Sequence, residues 1–176
     1  DLPIQNFQYK DLGVTLKESL RLEYLDGGGW GCSYPGDESS QVRRIFHHFT
    51  FYGFLLAFAS TSVAAIYDYI FGWPAPYGYG SLPVILGTLG GLGLLVGPAG
   101  LLVLKRRRNR EITDEGQVGM DTAFLVLLLL ASASGLLLLV LRETSAMGTL
   151  LVVHLGIVMG LFLSMPYGKF VHGIYR

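Results

Sequence analysis

The chain has 176 residues, 51% of them hydrophobic and 15% charged, against about 25% charged in a typical soluble domain; its mean hydropathy is +0.47. Thirteen bases balance thirteen acids, so the basic footprint of a nucleic-acid binder is missing and no nucleic-acid partner is expected. A single cysteine, Cys32, excludes an internal disulfide and any cysteine-built zinc or iron–sulfur site made by these residues alone.

The sequence opens at Asp1 with no basic-then-apolar stretch, so no signal peptide is expected there. It reads as the C-terminal part of something longer, a processed product or a trimmed chain. Residues 1–42 are polar and mixed and predict a short cytoplasmic segment. Within it, DLGVTLKESLRLEYL (11–25) places Leu12, Leu16, Leu20 and Leu22 at roughly helical spacing, which predicts a short amphipathic helix. DGGGWGCSYPGDESS (26–40) follows and reads as a turn or linker. GGGWG is no phosphate loop, because no Gly-Lys-Ser/Thr follows it. Cys32 is expected as a small residue in a tight turn rather than a cluster ligand.

From Arg43 the composition changes. Apolar runs cover about 45–71, 82–104, 122–141 and 147–175, the last continuing past Pro166. Each reaches the ~20 residues that span ~30 Å of hydrocarbon. Core helices of a soluble domain would show a polar face, and these runs do not. The expected fold is all-α: an integral membrane four-helix bundle over 43–176, behind the short cytoplasmic N-terminal segment.

The loops set orientation. KRRRNR (105–110) joins the second and third runs, Arg43 and Arg44 precede the first, and Lys169 and Arg176 lie in the tail of the fourth. GWPAPYGYG, between the first two runs, has no charge. Lys and Arg stay on the cytoplasmic side, so both termini and the basic loop are expected in the cytoplasm. KRRRNR could also meet lipid phosphate, but topology accounts for it. Tyr67, Tyr69, Trp73, Tyr77 and Tyr79 gather at the opposite end as an interfacial aromatic belt.

All four histidines, His47, His48, His154 and His172, lie in or at the ends of apolar runs. Intramembrane histidines point to function, although His47 and His48 beside two arginines could simply cap the interface. His154 and His172 are 18 positions apart, a whole number of turns at ~100° per residue and ~27 Å of rise. Antiparallel helices bring His47 and His172 to one depth on the cytoplasmic side. Two facing imidazoles are what a low-spin haem b needs for its axial positions, with Arg43, Arg44 and Lys169 placed to neutralise propionates. Gly53, Gly156 and Gly160 would admit either a flat macrocycle or a neighbouring helix.

HLGIVMGLFLSMPYGKFVH (154–172) resembles the last transmembrane helix of the cytochrome b (gamma) subunit of respiratory nitrate reductases, and RRIFHHFTFYGF (43–54) resembles the opening of the matching ligand helix. On that match His47 is the aligned ligand. From DGGGWGCSYPGDESS through YGYGSLP to its end, the chain resembles the tricarballylate/citrate-utilisation protein B family. That resemblance implies a ferredoxin-like region with two [4Fe–4S] clusters upstream, a haem-bearing domain in the bacterial inner membrane, a flavoprotein dehydrogenase as electron donor, and quinone as acceptor. One haem b, or two, is implied. Ala57 stands where the nitrate reductase subunit carries a second ligand, which leaves His154 without a named histidine partner. His154 and Asp68 are then candidates for hydrogen-bonding quinone and relaying its protons, while Asp68 could instead reach the outer interface beside Tyr67 and Tyr69.

The expected function is that of a membrane electron-transfer subunit with no independent bond-making catalysis, its partners being the dehydrogenase, quinone and membrane lipid. The alternative is a haem-free anchor or transporter subunit that docks a cytoplasmic partner through residues 1–42.

Overall fold

The computed structural model describes residues 39–107 and 115–167, the pair 32–33, and residues 13, 14 and 17. Gly13, Val14 and Lys17 are helical and fall within the stretch expected to be an amphipathic helix. Strands β1 (Cys32–Ser33) and β2 (Ser39–Ser40) pair antiparallel, with Cys32 opposite Ser40 and Ser33 opposite Ser39. The glycine-rich stretch therefore ends in a short antiparallel strand pair, two residues before α1 begins at Val42.

Four helices follow: α1 (Val42–Tyr69), α2 (Leu82–Arg106), α3 (Glu115–Val140) and α4 (Met147–Ser164). All four are long and apolar enough to cross a membrane. Their boundaries depart from the hydropathy pattern for identifiable reasons. The 28 residues of α1 rise ~42 Å, more than the ~30 Å of hydrocarbon, so the turn bearing Arg43 and Arg44 can be helical in the interface. The same helix stops at Tyr69, because Gly72 at φ 66° reverses the chain. Trp73 N–H returns to the Tyr67 carbonyl at 2.9 Å. Helix α3 begins seven residues before Thr122, and its Asp121 pairs with Lys105 of α2 at 3.7 Å, which offsets the carboxylate's charge. Helix α4 does not continue through Pro166: Met165–Tyr167 tighten into a 3-10 turn. Proline removes one backbone donor and crowds the preceding turn. Residues 168–176, with Lys169 and His172, lie outside the described residues.

Close backbone contacts run from α1 to α2, α2 to α3, and α3 to α4. The α1–α2 seam is the tightest, and glycine makes it so. A Cβ on Gly90 would stand 2.6 Å from the Ala57 nitrogen, and one on Gly53 would stand 2.9 Å from the Leu94 nitrogen. Gly97 sits against Thr50, and Gly100 against the Phe46 ring. Ser60 Oγ donates to the Pro83 carbonyl at 2.6 Å near the other end of the seam. Leu94 of α2, Leu128 of α3 and Leu161 of α4 form the buried core, and Phe54 and Ala57 of α1 pack against it with Met165. Outside this narrow core the apolar residues face outward: Phe58 is 62% exposed and Val152 71%. A surface this apolar fits hydrocarbon, not water.

The end of the bundle opposite the arginines is capped by its loops. Tyr67, Phe71, Trp73 and Tyr77 pack edge to face around Tyr67. The Tyr77 hydroxyl lies within donating distance of the Ala64 and Trp73 carbonyls, at 3.0 and 3.1 Å. Arg142, between α3 and α4, donates to the Tyr77 carbonyl at 2.6 Å and lies 3.6 Å over the Tyr79 ring. Part of the aromatic cluster is thus a packed cap, while Tyr69 is 87% exposed.

Candidate functional site

Adjacent positions on a helix point ~100° apart, and the two histidines of α1 part accordingly. His47 is half-buried. It lies seven positions before Phe54, within about 20° of the same azimuth, and Phe54 packs against the core that Leu161 and Met165 share. His47 therefore lies on the α1 flank that Phe54 continues to the bundle core. His48 takes the other direction. Its Nδ1–H donates to the Arg44 carbonyl at 2.8 Å, and its ring stacks on Tyr52 with centroids 5.9 Å apart. His48 lines an open groove of about 800 Å³ between α1 and α2. Arg44 is half-buried at the same groove, and Arg43 beside it is exposed.

His154 faces α3. Its Nδ1 is 2.9 Å from Ser134 Oγ, and its ring rests on Gly135. The Ser134 hydroxyl also lies within donating distance of the Ala131 carbonyl, at 3.1 Å; where it donates there, its oxygen accepts from the His154 Nδ1–H. In that arrangement the neutral ring carries its lone pair on Nε2 in both His48 and His154. A ring oriented through Nδ1 in this way is the arrangement of metal-ligating histidines. It is equally an arrangement that satisfies a buried imidazole without any metal.

His154 and Asp68 are not brought together. Asp68 is exposed in the last turn of α1, and its carbonyl accepts from Gly72 N–H at 3.1 Å. His154 is seven residues inside α4, ~10 Å down the helix. The expected pairing of His47 with His172 has one member among the described residues. His172 lies outside the described residues, and the 3-10 turn at Met165–Tyr167 ends the α-helical register before it. Gly53 serves the neighbouring helix α2, whereas Gly156 and Gly160 of α4 have open space where a Cβ would stand. Among the described residues no three His, Cys, Asp or Glu side chains converge as a metal cage.

Sequence reasoning missed the partners of His154. They sit in ASASG (131–135), a break of small and polar residues inside an otherwise leucine-rich helix. Ser132 of the same break donates to the Gly91 carbonyl of α2 at 2.6 Å. Small polar residues in membrane helices mark helix–helix contact, and that signal was present.

A family model described as citrate utilization protein B matches residues 2–176. The chain is 58% identical over 167 residues to citrate utilization protein B of Escherichia coli, an alignment that covers 94% of this chain and 44% of that protein. No solved structure matches. The chain therefore spans less than half the length of this curated relative. With four membrane-type helices and a match over nearly every residue, the chain belongs to the citrate utilization protein B family.

Proposed function

We propose that this chain is the membrane-embedded, cytochrome b-like electron-transfer part of a citrate or tricarballylate utilisation system. Electrons leave a reduced flavoprotein dehydrogenase, cross iron–sulfur clusters of an upstream region, and reach the quinone pool through haem b. The reading sets the protein in the bacterial inner membrane with both termini and the 2–3 loop in the cytoplasm. The observation that carries it is His47, half-buried near the arginine-bearing end of α1, on the flank that Phe54 continues to the bundle core. Helix α4 holds His154, and His172 follows it in the sequence.

The residues present suit a haem by their chemistry. His47 and His172 would supply the two axial nitrogens, and Arg43, Arg44 and Lys169 would meet the propionates. When bound, haem relays one electron at a time. The chain's own residues hold the His47 imidazole half-buried on α1. His154, oriented by Ser134, would hydrogen-bond a quinone carbonyl or hold a second haem.

A haem-free anchor is favoured by one observation: His154 is already satisfied by Ser134 and packed on Gly135. A visible spectrum of the purified protein separates the readings. Reduction with dithionite should give split α and β bands, lost in both His47→Ala and His172→Ala and largely kept in His48→Ala. A featureless wild-type spectrum would sink the cytochrome reading, and loss of the bands in His48→Ala alone would move the ligand to His48.

A further inference from the structure

Arg44 and His48 apart, the groove between α1 and α2 has no part in the electron-transfer reading, and its lining is ordered by polarity. Gln41, Arg44, His48 and Tyr52 form one edge along α1, and the eight positions from Arg44 to Tyr52 rise ~12 Å. Phe49 and Leu56 of α1 face Leu89, Leu92 and Val96 of α2 across it. Gly53 and Gly93 form its floor, where the two backbones touch. The groove therefore runs from a cation at the membrane surface, past an imidazole and a phenol, to aliphatic walls in the hydrocarbon.

Among the described residues, charge at the groove's mouth is mostly positive. Arg107 lies eleven positions after Val96, within about 20° of its azimuth, so it extends the α2 edge to the surface. Arg43, Arg44, Lys105, Arg106 and Arg107 gather at this end. Among the described residues the acids at this end are Asp121, which pairs with Lys105, and Glu115 at the start of α3.

We propose that this groove seats an anionic glycerophospholipid from the adjoining leaflet. The phosphate meets the guanidinium groups of Arg44 and Arg107, the ester region lies level with His48 and Tyr52, and one acyl chain runs between Phe49, Leu56 and Leu92. Guanidinium forks suit phosphate oxygens, and basic pockets between membrane helices take anionic head groups. A neutral quinone ring could use the polar edge but gains little from this charge. A soluble anion has no use for the aliphatic wall. The proposal does not depend on haem.

Native mass spectrometry of the chain, released from phosphatidylcholine nanodiscs doped with phosphatidylglycerol, tests it. The wild type should retain phosphatidylglycerol in clear preference to phosphatidylcholine. Arg44→Gln with Arg107→Gln should weaken that retention roughly 30-fold, about fivefold per guanidinium. Leu92→Trp fills the groove, leaves every charge in place, and should abolish retention; it carries the test if the arginine variant fails to fold. Equal retention of the two lipids by the wild type would overturn the proposal. So would undiminished preference in Leu92→Trp, which would place the lipid elsewhere on the basic end. A co-purified quinone displaced by Leu92→Trp, in place of the phospholipid, would reassign the groove.

Discussion

The imidazole of His154 rests on the bare backbone of Gly135, where a methyl group would stand 3.0 Å from Cε1. This contact between α4 and α3 fixes the ring as firmly as its bond to Ser134 does. Gly135→Ala should push the ring aside and strain that bond, costing about 1–2 kcal/mol. Ser134→Ala should cost a similar amount, about 1 kcal/mol, by leaving a half-buried donor unmet. Reversible unfolding in mixed micelles measures both, and wild-type stability in Gly135→Ala would show that the ring is free to move.

The glycines should divide by what they face. At Gly90 and Gly97 an added methyl would meet the backbone nitrogen of Ala57 or Thr50 at 2.6 Å. Backbone cannot retreat as a side chain can, so Gly90→Ala and Gly97→Ala should each cost about 1–3 kcal/mol and spread α1 from α2. Gly156→Ala and Gly160→Ala meet nothing within 4 Å, and should be neutral or stabilising by up to about 1 kcal/mol through helix propensity. Cysteine cross-linking between α1 and α2, read beside unfolding, tests both halves. A neutral Gly90→Ala would refute the seam.

Arg142 ties the two loops of the capped end together through the Tyr77 carbonyl and the Tyr79 ring. Arg142→Ala should expose the 70–81 loop to protease and cost about 1–3 kcal/mol. Arg142→Lys should recover little, because an ammonium cannot both stack on the ring and reach the carbonyl in the same fork geometry. Full rescue by lysine would mean that charge alone matters there.

The Tyr77 phenol is held above its ordinary value by partial desolvation, then by the Asp68 carboxylate and Tyr67. A folded value above the unfolded one means that its contribution is fully present below about pH 10. It is lost as pH rises through the folded value, when the hydroxyl proton that reaches the Ala64 and Trp73 carbonyls disappears. Trp73 fluorescence should therefore stay flat to about pH 10 and change above it. Tyr77→Phe should remove that change, and a transition near neutral pH would contradict the assignment.

How much of this was legible in the sequence follows from what hydrocarbon demands. Spans show because ~20 apolar residues are needed regardless of context. Which face of a span turns inward does not show in the same way, since lipid and core are equally apolar. Gly53 was noticed as a close-contact residue, and its partners proved to be Gly90 and Leu94 of α2. Gly156 and Gly160 were noticed on the same ground and face open space. Helical geometry separates His47 from His48 in direction, but only the packing of Phe54 and the groove at Tyr52 say which direction is which. Pro166 was visible, yet the loss of α-helical register after Ser164 depends on the 3-10 turn itself.

The glycine seam also bears on how the protein is made. All of its contacts lie between residues 46 and 100, within a single hairpin. The complete interface between the first two spans exists as soon as the second has left the ribosome. The pair can lock in the bilayer before α3 is synthesised, so later spans dock onto a finished platform. A defect in the seam would strike at membrane insertion, before α3 and α4 are in place.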